Sequence, residues 1–177
     1  GTARAPGRLI VWKRERPRAA DGDDAPPAPV FGRVKLSAPI VVIGGDRFVL
    51  RGSSSKGPAG AVLGGGRVLD ANPPRTKRRE RRFAVLDAVE RGSVADAARA
   101  LVIEASPRAL EPGELGVRFP IDADAVARAA EKIADRGEIV RTKSGGWVDR
   151  ASALDLARRA RDLVRAHHEA NPHDRGI

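Results

Sequence analysis

Apolar and polar residues alternate in short runs through residue 74, and beyond that point the period lengthens. Leu9-Ile10-Val11-Trp12 is one apolar run. Over 30–36, Val30, Val34 and Leu36 fall on one face, with Arg33 and Lys35 on the other. Residues 40–43 make a third run. In 47–51, Phe48 and Leu50 oppose Arg47, Val49 and Arg51. Ala61-Val62-Leu63 and Arg67-Val68-Leu69 flank the triplet Gly64, Gly65, Gly66. Short β-branched runs divided by turn signals predict an all-β sandwich or small barrel. The stretch 17–29 holds four prolines and three acids and little that is apolar, which predicts a loop between strands.

From Phe83 onward the spacing is helical. Phe83, Leu86, Ala88 and Val89 recur at three and four residues, and Gly92 stops the helix. Ser93 with Asp96 resembles a capping box, and Ala97, Ala98, Leu101 and Val102 line the helix that follows. Pro107 and Pro112 mark a loop, and 113–119 predict a short helix. Asp122 suits the N-cap of a helix striped by Val126, Ala129, Ala130 and Ile133, with Gly137 at its C′ position. Residues 138–142 and 146–148 predict a hairpin turned by 143–146. Helices followed by a two-stranded wing are the winged-helix pattern. A last helix over 152–170 carries Leu156, Ala160, Leu163 and Val164 on one side. A single helix cannot bury its own face, so it packs on the preceding domain or belongs to a further one. The expected class is mixed α and β in separate domains: a β-domain over 1–74, a winged helix over 75–149 and the opening helix of another over 150–177.

Composition narrows the function. The apolar fraction of 41% supports a core, and aromatics at 3% mean that Val, Leu, Ile and Ala must build it. The absence of cysteine excludes disulfides, thiolate metal sites and a Cys nucleophile, and fits a reducing, cytoplasmic setting. No run reaches the length of a membrane span, and no signal-peptide h-region is visible. The chain opens on Gly rather than Met, so its natural start is expected elsewhere. Net charge is +10, and residues 1–82 hold 18 Lys/Arg against 7 Asp/Glu while 83–177 hold 15 against 16. The whole excess lies in the first part. A polyanion such as RNA suits that part; plain solubility is the other reading.

The phrases Gly45-Asp46-Arg47-Phe48-Val49-Leu50-Arg51, Gly64-Gly65-Gly66-Arg67-Val68-Leu69-Asp70 and Asn72-Pro73-Pro74, followed by the basic run, resemble the selenocysteine-specific translation elongation factors. Gly1-Thr2-Ala3 with Gly7-Arg8-Leu9, and the final Ala166-His167-His168-Glu169-Ala170-Asn171-Pro172, are similar to further parts of that family. The resemblance implies a domain III β-barrel like that of EF-Tu, lacking about its first strand, then a winged helix and the start of a second. It implies selenocysteinyl-tRNA and the ribosome as partners, with the mRNA insertion hairpin read by modules beyond residue 177. GTP and Mg²⁺ would belong to a GTPase domain ahead of Gly1. The chain has no G-x-x-x-x-G-K-[ST], so it is expected to hold no cofactor and to catalyse nothing itself.

Candidate RNA-binding residues follow. In Arg51, Ser53, Ser54, Ser55 and Lys56, charge is combined with hydroxyl donors; a solvated loop is the plainer reading. Gly65, Gly66 and Arg67 offer either a close backbone approach to phosphate or a strand bulge. By the resemblance, the glycine turn faces the tRNA T-stem, and Val62 stands where the family more often has Thr. Arg75, Lys77, Arg78, Arg79, Arg81 and Arg82, with Glu80 the single acid, form a basic run. The run reads as a solvated linker or as an RNA contact through Lys77, Arg78 and Arg79. Arg47 reads instead as a structural partner of Asp46 or Asp70. The helix over 122–136 sets Asp122, Asp124, Glu131 and Asp135 against Arg128, Lys132 and Arg136. That balance disfavours entry into a DNA groove, even with Arg141 and Lys143 on the wing, and favours a spacer over the rival reading, a winged-helix transcription regulator. His167, His168 and His173 do not make a metal site, and no catalytic set stands out.

Overall fold

The computed structural model describes residues 3–12, 30–52, 60–75 and 78–171. The expected loop 17–29 and the candidates Ser53, Ser54, Ser55, Lys56 and Lys77 lie outside the described residues, as does His173. The chain divides into two compact units, Gly1–Val42 and Ile43–Ile177.

The first unit contains one antiparallel hairpin, β1 (Gly7–Trp12) and β2 (Phe31–Leu36). Leu9 lies opposite Val34, Ile10 opposite Arg33 and Trp12 opposite Phe31. The Arg33 guanidinium sits 5.8 Å from the Trp12 ring centroid, a cation–π approach. Period-two patterning thus forms the ladder, with Leu9, Val11, Val34 and Leu36 on its exposed face.

In the second unit, β3 (Arg47–Arg51) pairs antiparallel with β4 (Val62–Arg67), and the register shifts between Leu50 and Arg51. The glycine triplet is therefore part of a strand next to a bulge. Gly66 lies opposite Phe48, and a Cβ on Gly66 would meet the Phe48 ring at 3.0 Å. The ring lies on bare backbone where a side chain would stand. Gly64 takes φ +146°, which L side chains rarely adopt. The third apolar run differs from expectation: 40–43 is irregular and Val41 is 96% exposed. The class is mixed α and β with small antiparallel sheets. The expected barrel is not closed among the described residues, where strands pair two by two. Closure would need each strand to have a neighbour on both edges.

The helical part comprises α1 (Arg79–Glu90), α2 (Val94–Ala105) and α3 (Ala123–Asp135). It continues with the hairpin β5 (Ile139–Arg141) and β6 (Trp147–Asp149), and then α4 (Arg150–Ala170). α1 begins four residues before the apolar period does, so the basic run includes its first turn. Gly92 at φ +69° and Gly137 at φ +73° end α1 and α3 as the sequence predicts. The Asp122 carboxylate accepts from Asp124 N at 3.1 Å and caps α3. The capping box expected at Ser93 does not form; its hydroxyl donates to the Asp96 carboxylate at 2.9 Å and makes no cap bond to the backbone. The expected helix in 113–119 is replaced by two 3₁₀ turns, Pro112–Glu114 and Gly116–Arg118.

One hydrophobic core joins these pieces. Val85, Ala88 and Val89 of α1 pack with Ala97, Ala98, Leu101 and Val102 of α2, and with Val126, Ala130 and Ile133 of α3. Leu115 and Phe119 from the turns, and Ile139 and Trp147 from the hairpin, complete it. α4 stands apart from this core: Leu156 is 54% and Leu163 72% exposed.

A buried ion network ties the end of the β3–β4 hairpin to the helices. The Asp70 carboxylate accepts from Arg118 Nε at 2.7 Å and Arg118 Nη2 at 2.8 Å, from Asn72 N at 2.9 Å and from Arg82 Nη2. Arg82 Nη1 also donates to Glu104 at 2.9 Å. The side chains of Asp70 and Arg82 are both 2% exposed. Around them Ala71 N donates to Arg118 O, Gly44 N to Val117 O and Gly45 N to Val68 O. A methyl on Gly44 would fall on the backbone of Phe119.

Candidate nucleic-acid interface

The β3–β4 register decides which cations share a surface. Residues directly opposite in an antiparallel pair point to the same side. Arg47 lies opposite Arg67, Val49 opposite Gly65 and Arg51 opposite Val62, so the three arginines occupy one face. Phe48 and Leu50 point to the other side, half-buried. All six residues of β4 are exposed. Arg51 Nη1 donates to Gly60 O at 3.2 Å, which holds the arginine beside the end of the loop. Arg67 Nη2 lies 3.3 Å from Glu90 Oε2 of α1, and both side chains are about 40% exposed. Gly65 sits on the arginine face, and Gly66 lies under the Phe48 ring on the opposite one.

The assignment of Arg47 to a structural ion pair is not what the geometry supports. Asp46 Oδ2 accepts from Ile43 N at 3.0 Å, and Asp70 is saturated by Arg82, Arg118 and Asn72. The sequence signal for the true partner was present in α1. Arg82 falls three and four residues before Val85 and Leu86 and seven before Val89, and so lies on the apolar stripe. A cation on a buried stripe demands a buried acid. Arg118 carries no such periodic signal.

The basic run is not a uniform cationic strip. Arg82 is buried in the network. Arg81 Nη1 donates to Ile103 O at 2.6 Å and Ser106 O at 3.2 Å, and Arg78 Nη1 to Ser106 O at 3.4 Å. These contacts satisfy carbonyls at the C-terminus of α2, where positive charge also complements the helix dipole. Arg75 and Arg79 are exposed.

On α3 and its hairpin, Arg128 and Arg141 pair with acids of that helix or its cap, while Lys132 and Arg136 are exposed. Arg141 bridges Glu131 and Asp135, the latter at 3.0 Å. Hydrogen bonds that Arg141 donates, first to Glu131 and then to Asp135, raise its guanidinium pKa. Glu131 also accepts from the indole Nε1 of Trp147 at 2.9 Å, and Arg128 lies 3.5 Å from Asp122. Lys143 is exposed at the hairpin tip. Beside the hairpin, Arg108 donates two hydrogen bonds to Glu114. That pairing, foremost, holds the Glu114 carboxyl below its ordinary pKa.

Among the described residues, His, Cys, Asp and Glu do not gather in threes that could hold a metal ion. The His167 and His168 rings lie 6.2 Å apart at 64°, and His167 is within 3.3 Å of Asn171 Nδ2. No helix among the described residues is long and apolar enough to cross a membrane. No protein-family model matches this chain, and no curated protein matches it.

Proposed function

We propose that this chain is part of a GTP-dependent elongation factor that delivers selenocysteinyl-tRNA to the ribosome at UGA codons. In this reading 1–74 is a tRNA-facing β-domain related to the third barrel of EF-Tu, 75–149 is a winged-helix spacer, and 150–177 opens a second winged helix. The factor works in the cytoplasm. GTP and Mg²⁺ belong to a separate domain, the mRNA hairpin is read by later modules, and this portion carries out no catalysis.

The phrases around Gly45, Gly64 and Asn72 support the reading, and one structural observation carries it furthest. Arg47 and Arg51 of the β3–β4 face are exposed and Arg67 meets a single acid, Glu90, whereas Arg141, on the hairpin after α3, meets two acids of that helix. A groove-reading helix needs cations toward phosphate, and here the strand face offers them.

The test is a titration of the protein with tRNA and with duplex DNA at 50 and 200 mM salt. Tighter binding to tRNA, weakening steeply with salt, is the expected result. Tighter binding to duplex DNA would replace this reading with a winged-helix transcription regulator. Binding to neither polymer would point to a protein-interaction module.

A further inference from the structure

We infer that the exposed face of β3–β4 is a phosphate-backbone platform built on Arg47, Arg67 and Arg51, and that Glu90 competes with the nucleic acid for Arg67. The inference rests on the nucleic-acid reading above and adds Arg47 and Glu90, which the sequence did not assign to it.

Arg47 and Arg67 are directly opposite in the ladder, a placement that sets Cβ atoms about 5 Å apart and, for side chains of like charge, destabilises a sheet. Nothing in local folding requires it, because strand exteriors accept many polar residues. An anion lying across the pair converts the repulsion into attraction. Arg51, four residues along β3, extends the cationic row by about 13 Å. Between the two ends the face is low, with Val49 opposite Gly65, which has no side chain to hold a polymer away. A phosphodiester chain fits this shape better than a folded acidic protein, because it presents charge at regular intervals and needs no deep pocket.

Glu90 supplies the control. Its carboxylate reaches Arg67 at 3.3 Å from α1, and the pair is solvent-accessible at 43% and 39%. Exposed pairs of this kind are weak, so a phosphate can displace the carboxylate. The pair keeps Arg67 oriented while the platform is empty and yields when nucleic acid arrives.

Binding of tRNA is measured from 50 to 200 mM salt for the wild type and for Arg47→Gln, Arg47→Lys and Glu90→Gln. Three phosphates contribute a slope of roughly −2.1 to −2.7, or about a 20- to 40-fold loss of affinity over that range. Arg47→Gln should lower the slope by about 0.7 to 0.9 and weaken binding, while Arg47→Lys should keep both. Glu90→Gln should tighten binding at 50 mM salt, an effect that a merely structural role for the ion pair would not produce. Circular dichroism confirms folding of each variant. If the wild type binds tRNA and Arg47→Gln binds equally well with the same slope, the platform is wrong while the proposed function stands. If the wild type binds no tRNA, both fail. Equal affinity for polyglutamate and tRNA would also overturn the platform, by making it a site for acidic protein.

Discussion

Asp70 accepts from Arg82, Arg118 and the Asn72 amide while almost wholly removed from water. A buried ion pair of this kind gives little net stability relative to an apolar substitute, because desolvation offsets the attraction. Removing one partner is another matter, since the remaining charge stays buried and unmatched. Asp70→Asn keeps the shape and deletes the charge, leaving Arg82 with Glu104 and Arg118 without its carboxylate. The expected loss is about 3–5 kcal/mol in urea unfolding. A loss under about 1 kcal/mol would mean that the network does not tie hairpin to helices as described. Arg82 shows how much one residue's neighbours say: its place on the apolar stripe was readable, but its partners were not. Asp70 lies 12 residues before it and Glu104 22 after it, and no local pattern links such distances.

At the scale of elements, β4 is unusual because half of it is glycine. Glycine weakens strands through backbone entropy, so its presence here needs a tertiary cause. Two causes are visible. The Phe48 ring covers Gly66, and a Cβ on Gly65 would meet the Phe48 carbonyl oxygen at 2.5 Å. Gly65→Ala should therefore destabilise the β3–β4 hairpin even though alanine is the better residue in an ordinary strand. Hydrogen exchange should speed up at the amides of 47–51 and 62–67 and stay unchanged in α2. Unchanged exchange in the hairpin would remove the packing account of Gly65 and leave its conservation of space to function alone. The helices were the more legible elements. Ends at Gly92 and Gly137 and the Asp122 cap follow from local chemistry. The start of α1 did not, because its first turn is built from arginines held by α2 carbonyls rather than by an apolar period.

At the scale of the molecule, the buried apolar core among the described residues runs from Val85 to Trp147. None of the described residues of Gly1–Val42 belongs to that cluster. A chain of residues 43–177 should accordingly fold on its own, with a cooperative thermal transition within a few degrees of that of the full chain, as about 1 kcal/mol corresponds to several degrees in a domain of this size. Loss of cooperativity in the shorter chain would show that the N-terminal hairpin supports the helical core. The charge partition read from composition places the excess in residues 1–82. The structure refines it, because Arg78, Arg81 and Arg82 of that segment serve α2 and Asp70.

By itself the sequence determined the main strand and helix periods, the helix ends at Gly92 and Gly137, the Asp122 cap, and the sign and rough location of excess charge. These are local quantities, set by side-chain chemistry within a few positions. Only the tertiary structure decided which arginines remain on the surface, which acid each buried cation meets, and that Arg47, Arg51 and Arg67 share one strand face. Those outcomes depend on strand register and helix packing, which bring together residues too far apart in the chain for any short pattern to connect.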